Sequence, residues 1–228
     1  MYENIKTVIF DMDGVLFDSE KLDKKAWENL AETFGVEDII KAFEKCIGTP
    51  DENIMNILQE YIDRSRTSGS LREPDGVVLS GAKFRQQTLE VFDRFVEEYG
   101  MPLKYYASEC LENLKNKGYR LGLASSTPVE RVRKQLSDTG LLSFFDDIVG
   151  GGMFKKGKPD PEIFLMSCKR LGTPSETVVI EDSFNGIRAA YSAGMEPIMV
   201  PDIVPPDEEM KEKSWKILKN LKEVTEIL

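Results

Sequence analysis

At 228 residues, 41% of them hydrophobic, the chain is long enough to bury one large core or two smaller ones. Its 30 basic against 40 acidic residues leave a formal charge of −10, which disfavours nonspecific binding to nucleic acid or an anionic membrane, and no apolar run approaches a bilayer span. Histidine is absent, which removes Ser-His-Asp and Cys-His catalysis, His-ligated zinc and histidine phosphotransfer, and leaves carboxylates holding a hard cation, Mg²⁺ first, as the natural chemistry.

The β-branched and aromatic run Thr7-Val8-Ile9-Phe10 reads as a buried strand that ends at Asp11-Met12-Asp13-Gly14. Two carboxylates thus sit at the carboxyl end of a strand, where open α/β sheets bind ligands. Residues 18–100 show no strand pattern. Leu22, Ala26, Trp27 and Leu30, then Ile54, Leu58, Tyr61 and Ile62, then Phe84, Val91, Phe92, Phe95 and Val96 repeat at helical spacing, and Thr67 to Gly76 reads as a loop. This region is expected to be a helical bundle whose aromatics form its core.

From residue 101 onward strand-like and helix-like runs alternate. The strands are Arg120–Ala124, Asp147–Gly150, Thr177–Ile180 and Glu196–Val200; the helices carry Ala107, Cys110, Leu111 and Leu114, then Val129, Val132 and Leu136, then Ile163, Phe164, Ser167 and Leu171. Such alternation predicts βαβ units and a doubly wound parallel sheet, so the fold class is α/β, with residues 1–17 and 101–228 forming a Rossmann-like core and 18–100 an inserted helical domain. Three junctions after the first also carry chemistry. Ser125-Ser126-Thr127-Pro128 offers hydroxyls and a helix start to an anion. Gly157-Lys158-Pro159-Asp160-Pro161 presents one lysine. Glu181-Asp182-Ser183 sets two acids at a strand end before a serine suited to cap the helix of Ile187, Ala190 and Tyr191, a cluster that calls for a cation.

Acidic pair, hydroxyl turn, lysine and second acidic pair, in that order, resemble the haloacid dehalogenase-like (HAD) superfamily of phosphohydrolases. Asp-x-Asp-Gly-Val-Leu-x-Asp-Ser, Gly-Lys-Pro-x-Pro-x-Ile-Phe and Glu-Asp-Ser-x-x-Gly-Ile look like the subgroup of β-phosphoglucomutase and small sugar-phosphate phosphatases, over essentially the whole chain. The resemblance implies that Asp11 is a nucleophile forming an aspartyl phosphate, and that Asp13 protonates the leaving group and then activates water. It also implies that Lys158, Ser125 and Ser126 hold the phosphate. Mg²⁺ is then bound by Asp11, the backbone carbonyl of Asp13 and Asp182, with Glu181 in contact with the ion or just behind it. The insert becomes a cap, with hinges near Gly14 to Ser19 and Tyr99 to Pro102. Asp18-Ser19 would start its first helix.

Departures from the mutase branch favour hydrolysis. Where that branch carries a phosphate-gripping arginine, this chain reads Gly48-Thr49-Pro50-Asp51-Glu52, and Asp23 replaces a histidine of the first cap helix; a carboxylate repels a second phosphate. The expected function is therefore hydrolysis of a small phosphomonoester, with a hexose-phosphate mutase second. Phosphonate cleavage, which needs an imine-forming lysine such as Lys41, Lys45 or Lys83, and a non-catalytic binding module follow. Lys24, Thr49, Asp51, Glu52, Lys83 and Arg85 are the candidates to reach the substrate. The expected partner is a small phosphorylated metabolite, with no nucleic acid or membrane, and a monomer suits a swinging lid. Cys46, Cys110 and Cys168, scattered and odd in number, read as reduced core thiols of a cytoplasmic protein, and a cleaved leader would remove Asp11.

Overall fold

The computed structural model describes residues 4–46, 51–65 and 78–228, the side chains of Asp51 and Glu52 excepted. The segment Gly48 to Glu52, on which the mutase distinction turned, and the loop Thr67 to Gly76 lie outside the described residues or side chains. The chain divides into two compact units, Met1–Asp18 with Met101–Leu228, and Ser19–Gly100.

The first unit is a six-stranded parallel sheet of order β3-β2-β1-β4-β5-β6. The strands are β1 (Thr7–Phe10), β2 (Arg120–Pro128), β3 (Asp147–Gly151), β4 (Thr177–Glu181), β5 (Glu196–Met199) and β6 (Lys216–Ile217). β1 is buried along its whole length, as an apolar run flanked on both edges and both faces must be. One apolar layer collects Ile9, Ala124, Val149, Ile163, Phe164, Cys168, Val179, Ala189 and Ala190. Full burial of each large side chain there contributes roughly 1.5–3 kcal/mol.

The order runs outward from β1 in both directions, so the chain reverses its winding between β1 and β4. That topological switch point is where α/β sheets open a crevice at their carboxyl ends. β1 and β4 pair with Phe10 opposite Ile180, which sets Asp11 beside Glu181. β1 and β2 pair with Phe10 opposite Leu123, which sets Asp11 near Ala124 on its other flank.

The second unit is helical: α1 (Ser19–Phe34), α2 (Ile39–Cys46), α3 (Asp51–Ser65) and α4 (Gly81–Tyr99). Trp27 packs edge-on against Phe43 and Phe84, with ring centroids 5.3 and 6.1 Å away, and all three are buried. These aromatics form bundle core. α4 starts on Ser80, whose hydroxyl accepts from the Lys83 N–H at 3.2 Å. A Cβ at Gly81 would lie 2.2 Å from the Met55 carbonyl oxygen, so α3 and α4 meet through backbone there.

Helices α5 (Ala107–Asn116), α6 (Val129–Asp138), α7 (Glu162–Leu171) and α8 (Phe184–Ser192) connect the strands of the first unit. Short α9 (Glu208–Lys213) and α10 (Leu221–Ile227) follow β5 and β6. On α8 Ile187 and Ala190 are buried, while Tyr191 is 54% exposed, with the Lys213 ammonium 4.7 Å from its ring centre. Among the described residues no helix is long and apolar enough to cross a membrane.

Candidate active site

The carboxylates leave strand ends at the switch point, Asp11 from β1 and Glu181 from β4, and a loop after β3 brings Lys158 to them. Asp11 follows β1, and its N–H donates to the Ile180 carbonyl at 2.9 Å, so it continues the ladder for one residue. Its carboxylate is buried. Lys158 comes from the loop before α7 with its side chain only 9% exposed, its ammonium 2.5 Å from Asp11 Oδ1, 2.6 Å from Glu181 Oε1 and 3.5 Å from the Ala124 carbonyl. The ring of Phe164, with its centre 5.0 Å from Nζ, closes the apolar side.

Glu181 is fully buried, and both of its oxygens are engaged. Oε1 accepts from Lys158, while Oε2 accepts from the Ser183 N–H at 2.8 Å and the Ser183 hydroxyl at 2.9 Å. Ser183 in turn caps α8, accepting from the Gly186 N–H at 3.1 Å. Ligand oxygens of Asp11, Glu181 and Asp182 all lie within 4.8 Å of one another. Gly14, at φ +78°, makes room for this group: a Cβ there would sit 2.3 Å from Asp182 Oδ2.

The Asp13 carboxylate stands apart from that trio. Its Oδ2 accepts from the Thr127 hydroxyl at 2.9 Å. Ser125 is buried within β2, where its hydroxyl accepts from the Thr127 N–H at 3.1 Å; Ser126 is exposed. Thr127 was named in the motif only as part of a turn. Its contact with Asp13 depends on the register of β1 against β2, which no local pattern in the sequence carries.

Burial pushes the Asp11 carboxyl up to about 7, with Glu181 and Asp13 adding to the rise and Lys158 opposing it. For Lys158 burial favours the neutral amine, but the carboxylates of Asp11 and Glu181 outweigh it and hold the ammonium protonated above its ordinary range. The centre therefore has a fixed cation, and a second positive charge beside Asp11 would work with Lys158 to keep the nucleophilic form. All of the donors are hard oxygens, the set that suits a small divalent cation.

Other expected groups do other work. Asp23 lies 3.4 Å from Arg85 within the helical unit, both half-buried. The hydrogen bond from Lys41 to Asp38, at 2.8 Å, raises the lysine's pKa, the wrong direction for an imine-forming amine. Asp18 directly precedes α1, which starts at Ser19 as expected, and its carboxylate also faces Lys104 at 3.3 Å, which meets Asp202 at 2.5 Å. The three cysteines are free and buried, and burial pushes Cys46 up to about 11 and Cys110 up to about 12. They are core thiols, protonated at neutral pH.

The haloacid dehalogenase-like hydrolase family model matches residues 5–194. The phosphorylated carbohydrates phosphatase of Thermotoga maritima is 34% identical over 195 residues, covering 85% of this chain and 84% of that protein. Beta-phosphoglucomutase of Bacillus subtilis is 30% identical over 203 residues, covering 84% and 81%. The crystal structure of CbbY from Rhodobacter sphaeroides in complex with phosphate superposes with a TM-score of 0.70 at 26% identity, over 96% of each chain.

Proposed function

This chain belongs to the haloacid dehalogenase-like hydrolases, and from that premise we propose that it is a Mg²⁺-dependent phosphatase hydrolysing a small sugar phosphate or similar phosphomonoester through an aspartyl phosphate on Asp11. The observation that carries the reading is the Lys158 ammonium held between Asp11 and Glu181 at 2.5 and 2.6 Å, beside Asp182. A nucleophilic carboxylate next to a fixed cation and a cation-binding carboxylate is what a phosphate dianion needs in order to approach another anion.

Asp11 and Asp182, with the backbone carbonyl of Asp13, would hold the ion. Glu181 stands behind them, because its oxygens already serve Lys158 and Ser183. When bound, Mg²⁺ neutralises charge on the transferring group. Asp11 bonds to phosphorus as the ester P–O bond breaks, and the leaving oxygen takes its proton from Asp13. Water then attacks phosphorus and gives its proton to Asp13. The P–O bond to Asp11 breaks, and phosphate is released. Lys158, the Ser125 hydroxyl and backbone N–H groups at the start of α6 grip the phosphoryl oxygens. Exposed Ser126 contributes its backbone to that grip more readily than its side chain. The free, buried thiols support a cytoplasmic setting.

The test is a panel of phosphorylated metabolites and one aryl phosphate, with released phosphate measured in Mg²⁺ and in excess chelator. Turnover of one or more sugar phosphates that needs Mg²⁺ is expected. No release from any ester in the presence of Mg²⁺ would overturn the reading.

A further inference from the structure

Thr127 and Asp13 belong to different βα junctions and meet because β1 and β2 lie in parallel register. The pairing of β2 with β3 shifts between Ala124 and Pro128, an irregularity that lets a strand re-aim a side chain at its end. Here it turns the Thr127 hydroxyl onto Asp13 Oδ2 at 2.9 Å. The Thr127 backbone is itself tied by its N–H to buried Ser125 Oγ at 3.1 Å. A hydroxyl carries one proton. Given to Asp13, it cannot also be given to a phosphate oxygen, so this threonine is used differently from the serine two residues before it.

Holding one oxygen of a carboxylate fixes where the other points. An acid–base group acts only within hydrogen-bond reach of the reacting oxygen, roughly 2.6–3.2 Å. On the phosphatase reading above, we infer that Thr127 is the positioning residue of Asp13: by anchoring Oδ2 it presents Oδ1 to the leaving-group oxygen and then to water. In the first step the proton passes from Oδ1 to the leaving oxygen as its bond to phosphorus breaks. In the second, Oδ1 takes a proton from the attacking water as the bond from phosphorus to Asp11 breaks. Thr127 keeps its own proton throughout.

Thr127→Val keeps the shape and removes the hydroxyl; Thr127→Ser keeps the hydroxyl and removes the methyl. With the best alkyl phosphate of the panel and Mg²⁺, Thr127→Val should lower kcat by about 10- to 100-fold with KM changed by less than about 2-fold, the split expected when only an acid–base step is weakened. Thr127→Ser should return kcat to near the wild-type value. With p-nitrophenyl phosphate, whose leaving group needs no proton, Thr127→Val should still phosphorylate Asp11 at nearly the wild-type rate. Phosphoenzyme should then accumulate in quenched samples, because the water step has lost its aligned base. An unchanged kcat in Thr127→Val overturns the inference, as does a raised KM with unchanged kcat, which would make Thr127 a phosphate ligand. A loss that Thr127→Ser fails to restore also overturns it. An inactive wild-type protein fails differently: it removes the phosphatase reading and the inference with it.

Discussion

Gly186 and Glu181 share one space: a Cβ added at Gly186 would lie 1.8 Å from Glu181 Oε1 and 1.9 Å from its carboxyl carbon. The glycine of Glu-Asp-Ser-x-x-Gly is therefore the floor on which the buried carboxylate rests. Oε1 is also the atom that holds Lys158.

Gly186→Ala should consequently act at a distance, pushing Glu181 and drawing Lys158 off Asp11. A misplacement of about 1 Å in such a centre costs on the order of 100-fold in rate, and overpacking costs about 1–3 kcal/mol. Kinetics and thermal melting measured together test this. Gly157→Ala, where a Cβ meets nothing within 4 Å, is the comparison and should change neither strongly. Equal activity in the two variants would show that Glu181 does not set the position of Lys158.

Lys158→Ala should lower turnover by about 1000-fold or more, since loss of an electrostatic clamp on the transferring group costs several kcal/mol. Stability should fall too. The sequence alone presents Lys158 as a lysine in a loop, removable with little effect on the fold. In the structure it is the cation between two buried carboxylates, and breaking a buried pair costs about 3–5 kcal/mol. A melting temperature several degrees lower in chelator, partly recovered on adding Mg²⁺, is the expected result. Unchanged melting in chelator would mean that water reaches both carboxylates.

The strand starts were legible because each rests on local chemistry, but β2 runs on through Ser125 to Pro128, where the hydroxyls and proline predicted its end after Ala124. An apolar run predicts a buried strand, and Asp, Ser, Gly or Pro after it predicts its end. Thr7–Phe10 and Thr177–Glu181 appear as strands in the structure on that logic. β6 was missed: its two residues, Lys216 and Ile217, are both exposed and too few to show a period. α9, Glu208–Lys213, has Met210 as its buried residue and carries no stripe. At the centre, side-chain types were readable and pairings were not. Thr127 with Asp13, Gly186 with Glu181 and Gly14 with Asp182 all join different segments through strand register or helix placement, which a single sequence does not display.

Asp146 offers a prediction about stability and pH. Burial favours its neutral form, but the hydrogen bonds from Lys115 and from the Leu121 N–H, at 2.8 Å each, outweigh this and lower its pKa below the ordinary 3.8. A carboxylate with a depressed folded-state pKa contributes stability above the unfolded pKa and loses it as pH falls through the folded value. Asp146→Asn should therefore melt lower than wild type at pH 7, and the gap should close below about pH 4. Melting curves from pH 7 downward check it; a gap that keeps its full size as the protein is acidified would assign the loss to packing and not to charge.

Asp11 and Asp13 stand two residues apart in the motif and have different partners in the structure, Lys158 for one and Thr127 for the other. Their asparagine variants should fail at different steps. Asp11→Asn removes the nucleophile, so it should cleave no ester and form no phosphoenzyme. Asp13→Asn keeps the nucleophile and its own backbone carbonyl but cannot move a proton, so alkyl phosphates should turn over at least about 100-fold more slowly. An aryl phosphate needs no proton on its leaving group. Asp13→Asn should therefore transfer that phosphoryl group to Asp11 and stall, because the water step has no base. Mass spectrometry of quenched Asp13→Asn should find phosphate on the peptide containing Asp11, and the same peptide from Asp11→Asn should be bare. A phosphate adduct that survives in Asp11→Asn would move the nucleophile elsewhere, and steady turnover of alkyl phosphates by Asp13→Asn would remove Asp13 from the proton path.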